Sequence, residues 1–123
     1  LQFDNKKEEL SAIKNLIVTH QASAYKSLGI VCKTESQACE MAEKLQIPDI
    51  HFLSNQNSAF VQGIVITSAH MAKGLEFDEV IIPQVDDKNY HSEVDRSMLY
   101  VAVTRAMHRL TLTYSGTKHT PFI

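Results

Sequence analysis

The strongest constraint on this chain is the alternation of short, β-branched apolar runs with longer helix-like stretches. Leu28 to Cys32, Ile64 to Thr67 and Val80 to Ile82 are runs too short and too uniformly apolar for surface strands. Strands buried on both faces read this way, whereas a half-exposed strand alternates. Helical patterns separate them. Asn5 to Ala24 places Leu10, Ile13, Leu16, Ile17 and Ala24 on one stripe, and Asn5 with Glu8 resembles a capping box. Thr34 with Gln37 repeats that signature ahead of Ala38, Met41, Ala42 and Leu45, and Pro48 closes the segment. Ser92 with Asp95 opens a third helix, running to about Ala106. Ile50 to Leu53 reads as a weak strand, Ser54 to Ala59 and Asp86 to Ser92 as polar loops, and Leu110, Leu112 and Tyr114 as a last strand. The order predicts an α/β fold of three layers, with a mostly parallel sheet covered on both faces. At 123 residues this is one domain, 1–123, long enough to bury a core without staples. Its first residue is Leu1 rather than Met, which suggests a piece of a longer protein.

Charge and cysteine content exclude several classes. The formal net charge is −2, unlike a domain that grips nucleic acid by charge alone. Any strand contact must be local or shared with another domain. Cys32 and Cys39 form no CxxC and no disulfide framework, and read as small buried apolar residues of a reducing compartment. The six histidines include no pair at i+3 or i+4, which argues against zinc. No apolar run reaches membrane-spanning length, and the start is not signal-like, so the expected location is the cytoplasm.

Three stretches bear on chemistry. A phosphate-cradling P-loop needs two glycines at fixed spacing before Lys-Ser/Thr. Gly29 to Thr34 ends in Lys-Thr without the second glycine, and Lys73-Gly74 has the reverse order. Alone, the chain has no complete nucleotide site. The segment Thr67 to Asp78 leaves one strand and enters another, where open α/β sheets bind ligands. Gly74 would let the backbone approach an anion or ribose, Lys73 offers a cation and Glu76 an acceptor for hydroxyls. A polar connecting loop with a C-cap glycine fits those residues equally well. The segment Asp95 to Ala106 is apolar nearly all round from Met98 to Val103, so it should be buried. Arg105 then stands at its end. From chemistry alone a structural salt bridge or a helix C-terminal cation is the favoured role.

A resemblance bears on that choice. Val65 to Asp78, with His70-Met71-Ala72-Lys73-Gly74-Leu75-Glu76-Phe77, resembles motif V of UvrD/Rep-type superfamily 1 helicases. Asp95 to Thr113, with Leu99-Tyr100-Val101-Ala102-Val103-Thr104-Arg105-Ala106, resembles motif VI. Ile30 to Thr34 with Gln37 is a weaker match to motif IV. Together they span about Gly29 to Tyr114.

The resemblance implies the second, C-terminal RecA-like domain of a DNA helicase or translocase. It implies ATP and Mg²⁺ held mainly by an N-terminal RecA-like domain that carries the P-loop. Arg105 would be the arginine finger, and Glu76 the ribose contact with Gly74 beside it. Lys33 would be the motif IV cation, in place of the usual arginine and without its planar fork. Thr67, His70 and Lys73 would lie on the single-stranded DNA track. The implied activity is ATP hydrolysis by the whole enzyme, with the isolated fragment inactive. Only Gln46 to Gln62 separates motifs IV and V, too short for an inserted domain. That resembles HelD-type or RecD-type branches, and HelD-type proteins would add RNA polymerase as a partner and a regulatory role without processive unwinding.

Overall fold

The computed structural model describes residues 2–46, 63–116 and 120–121, and the backbone of 50–53. The expected loop at Ser54–Ala59 and the helix stop at Pro48 lie outside the described residues. Ten elements follow in order: β1 (Gln2–Phe3), α1 (Lys6–Gln21), β2 (Ser27–Cys32), α2 (Glu35–Leu45), β3 (Ile50–Leu53), β4 (Gly63–Ser68), β5 (Phe77–Ile82), α3 (Glu93–Val103), β6 (Ala106–Leu112) and β7 (Tyr114–Ser115).

The main sheet has five strands in the order β3-β4-β2-β5-β6, and every pairing in it is parallel. The expected parallel sheet is therefore present. All six residues of β2 are buried, as a central strand covered on both faces requires. Alternation of side chains divides the core in two. Ile30, Ile64, Ile66 and Ile81 meet Ile13 and Ile17 of α1 and Ala38, Met41 and Leu45 of α2. On the other face, Val31, Val65, Val80 and Ile82 meet Leu99 and Ala102 of α3 and Ala69, Ala72 and Phe77. These are three layers, with two helices on one face and α3 plus a turn on the other.

The helix starts follow the capping residues. Asn5 Oδ1 accepts from Glu8 N at 2.9 Å, Thr34 Oγ1 from Gln37 N at 3.1 Å, and Ser92 Oγ from Asp95 N at 3.1 Å. Only the last is a reciprocal capping box. Gln37 turns its amide instead to Asn89 Oδ1, 2.9 Å away.

Several details depart from the sequence expectation. The buried line of α1 is Glu9, Ile13, Ile17 and His20, while Leu10 and Leu16 are only partly buried and Ala24 lies past the helix. Glu9 is tolerated inside because its Oε2 accepts from Gln84 N and Thr113 Oγ1, both at 2.7 Å. Cys39 is exposed; only Cys32 is the small buried residue expected, its thiol pushed up to about 12 mainly by burial. Tyr114 belongs to β7, which pairs with β1 outside the main sheet. The third helix ends at Val103 and is covered on one side only, since Tyr100 and Val94 are each 69% exposed. A helix lying on a sheet buries one stripe, and nothing among the described residues covers the other.

Gly29 shows how tightly the sheet is closed. A Cβ at this position would stand 2.5 Å from the Phe77 ring. Gly29→Ala should therefore destabilise the domain by about 1–3 kcal/mol through overpacking. Urea denaturation should show the loss and its partial recovery in Gly29→Ala/Phe77→Leu.

Candidate functional site

The site is built around the connection between β4 and β5. Because β2 lies between these strands, the chain must cross over β2 to join them. It crosses on the α3 side, as residues 69–76. Ala69 N donates to Cys32 O at 2.9 Å, which fixes the turn to the end of β2. Ala72 N donates to Ser68 O at 3.0 Å, Met71 N to Ser68 Oγ at 3.3 Å and Leu75 N to Ala72 O at 3.0 Å. Ala69 and Ala72 face the core, leaving His70, Lys73, Gly74 and Glu76 exposed. Gly74 has φ +81°, and a Cβ there would meet open space. Glycine is needed for the left-handed turn, and the backbone is open to approach.

Arg105 is brought to the far end of this turn. It stands one residue beyond the C-cap Thr104, not within α3. Its carbonyl accepts from Phe77 N at 2.9 Å, joining it to the start of β5. Its guanidinium folds back: Nε donates to Val101 O at 3.2 Å, Nη1 to Leu75 O at 3.4 Å and Nη2 to Thr104 Oγ1 at 3.2 Å. All three acceptors are neutral. Among the described residues no carboxylate forms an ion pair with Arg105. The salt-bridge role favoured by chemistry alone is thus not taken up, while contacts to the last helix carbonyls are. Gly74, Glu76 and Arg105 therefore share one end of the turn. The cation there keeps unspent charge beside an exposed carboxylate and open backbone.

Other candidates lie elsewhere. His70 and Lys73 line a cleft of about 280 Å³ with Ala69, Val94, Ser97, Met98 and Val101 of the turn and α3. Thr67 is fully buried in β4, so its side chain does not face that cleft's solvent. Lys33 stands just past β2, beside the first turn of α3. Its Nζ is 2.9 Å from Asp95 Oδ1 and lies 5.9 Å from the centroid of the buried Tyr90 ring.

Asp95 is the residue that sequence reasoning missed as part of a site, although its capping signature located it. Its Oδ2 accepts from His91 N and Ser92 N, both at 3.2 Å. Burial opposes ionisation of this carboxyl. The Lys33 hydrogen bond and those from His91 and Ser92 outweigh it, and hold the group well below the usual carboxylate range. His20, Glu79 and Arg109 form a second buried-to-surface network, with His20 Nδ1 2.8 Å and Arg109 Nη1 3.4 Å from the two Glu79 oxygens.

The three-layer fold around an open parallel sheet is consistent with a RecA-like domain. Residues 63–113, the stretch from β4 to just past β6, match the UvrD-like helicase C-terminal domain. DNA helicase II of Escherichia coli (strain K12) is 34% identical over 73 residues, covering 51% of this chain and 10% of that protein. Gabija protein GajB of Bacillus cereus (strain VD045) is 41% identical over 58 residues, covering 47% of this chain and 12% of that protein. The chain thus spans about a tenth of the length of these curated relatives. The crystal structure of the C-terminal domain of a possible DNA helicase from Lactobacillus plantarum WCFS1 shares the fold, with a TM-score of 0.85 at 24% identity, covering 98% of this chain and 74% of that one. No helix among the described residues is long and apolar enough to cross a membrane.

The depressed Asp95 carboxyl has a pH consequence. Its ordinary value is 3.8, and the folded value lies lower. The stabilisation is therefore complete above about pH 4 and is lost as acid approaches the folded value. Asp95→Asn should be less stable than the parent at about pH 6, and the gap should close on acidification toward about pH 2. Urea midpoints measured across that range check both the sign and the window.

Proposed function

We propose that this chain is the second motor half of an ATP-dependent DNA helicase or translocase. It closes over ATP held by an N-terminal RecA-like domain and supplies groups that the P-loop domain lacks. Arg105 reaches the γ-phosphoryl group, where charge builds as the bond breaks. Glu76 accepts from a ribose hydroxyl, and Gly74 leaves the backbone room for that approach. His70 and Lys73, at the mouth of the apolar cleft along α3, contact the single strand. Thr67 acts from within the sheet by fixing the start of the turn.

One observation carries this reading: among the described residues the Arg105 guanidinium is anchored by neutral oxygens alone, beside Gly74 and Glu76. A guanidinium with no carboxylate partner among the described residues keeps its charge available to a phosphate. Three hydrogen bonds at 3.2–3.4 Å hold it in place yet are long enough to exchange for a phosphate.

The motif resemblance implies that Mg²⁺, which neutralises phosphate charge, is held mainly by the P-loop domain. Opening and closing of the two halves moves the strand past the α3 cleft. Of the two branches the motifs allow, duplex unwinding and regulation of RNA polymerase, the relatives' names favour the DNA helicase.

The test is nucleic-acid-stimulated ATP hydrolysis by the full natural polypeptide. Arg105→Ala should lower kcat by about 10³-fold or more with the fold intact by circular dichroism. Arg105→Lys should restore little, because an ammonium lacks the planar fork. Turnover near that of the parent in a folded Arg105→Ala protein would remove the assignment.

A further inference from the structure

We infer that Thr104 is a positioning residue for Arg105: its hydroxyl fixes the plane of the guanidinium and leaves two of the arginine's N–H groups for a phosphoryl group. This rests on the Arg105 reading above and adds a residue to it.

The hydroxyl ties the arginine to the helix end. Thr104 is the C-cap of α3 and is exposed, so its side chain closes no core. Its Oγ1 lies 2.9 Å from Val101 O and 3.0 Å from Tyr100 O. A hydroxyl has one proton, and donating it to either carbonyl leaves the oxygen's lone pairs to accept. Arg105 Nη2 donates to that oxygen at 3.2 Å. Arg105 Nε donates at 3.2 Å to Val101 O, the carbonyl that also lies beside the hydroxyl. The guanidinium is planar and rigid, so two of its nitrogens held at one helix end set its plane. Leu75 O, 3.4 Å from Nη1, adds a third point from the turn. No glycine follows α3, although helices commonly end on one. The Val101 carbonyl is met by these two side chains instead, so one arrangement closes the helix and aims the arginine.

The donors not used for anchoring match a phosphate. A guanidinium carries five N–H groups. Among the described residues the three contacts take one on each nitrogen. Nε has no other, which leaves one N–H on Nη1 and one on Nη2. A phosphate takes two parallel N–H groups in a bidentate contact. Arg105 can thus engage a phosphoryl group before any anchor is released. Only a side chain that donates and accepts at once can fill the place of Thr104. Serine has that capacity, and valine, of nearly the same shape, has neither half of it.

The experiment measures nucleic-acid-stimulated ATP hydrolysis by the full natural polypeptide and by its Thr104→Val, Thr104→Ser, Arg105→Ala and Thr104→Val/Arg105→Ala forms. Thr104→Val should lower kcat roughly tenfold and change KM for ATP less than about threefold. Thr104→Ser should bring kcat to within about threefold of the parent. With the arginine gone there is nothing to position, so the double variant should match Arg105→Ala within about twofold. Normal kcat in Thr104→Val, with or without a raised KM, would overturn the inference. So would a Thr104→Ser protein no better than Thr104→Val. A double variant that falls about tenfold below Arg105→Ala would also overturn it, because Thr104 would then act independently of the arginine. Should Thr104→Val fail to fold by circular dichroism, Thr104→Ala takes its place in each comparison. Failure of the underlying reading shows separately, as an active Arg105→Ala protein.

Discussion

Everything in this domain depends on β2 being sealed between two parallel neighbours. Its six residues are buried, and Gly29 lets the Phe77 ring lie against its backbone. With β4 on one side and β5 on the other, the chain cannot pass from β4 to β5 by a hairpin. It must climb over β2 on one face. That forced crossing places a short turn, rather than a helix, next to α3, and the turn carries Lys73, Gly74 and Glu76. A site made of segments distant in sequence follows from sheet order.

The same packing separates two kinds of charge. Asp95, Glu9 and Glu79 are buried carboxylates, each matched by donors. Burial of a charge is tolerable when every lone pair facing the interior is occupied, and these groups satisfy that condition. Arg105 differs. Among the described residues its donors meet backbone carbonyls and a hydroxyl and no carboxylate. In a domain of net charge −2, local imbalance at one turn says more about function than the sum does.

The outer face of α3 carries a related signal. Leu99 and Ala102 pack on the sheet, while Val94 and Tyr100 stay exposed. The sequence reads as a helix greasy on all sides because its two faces have separate tasks. Leu99 and Ala102 close the core, and Val94, Met98 and Val101 border the cleft that His70 and Lys73 also line. Periodicity cannot distinguish a helix buried on all sides from one whose second apolar face borders a cleft.

The sequence by itself determined the three helices, the main parallel sheet and the motif segments. Those rest on local physics: β-branched runs that suit a buried pleat, and Asn5, Thr34 and Ser92 that cap the first turns. Its resemblance to known motifs singled out Gly74, Glu76 and Arg105 as candidates. Tertiary structure alone decided which charges meet. Lys33 reaches Asp95 across sixty-two positions, and His20 reaches Glu79 across fifty-nine. It also decided that Thr67 is sealed inside. Pairing of charges depends on distance in space, and spacing along a chain fixes that only within one helix or strand.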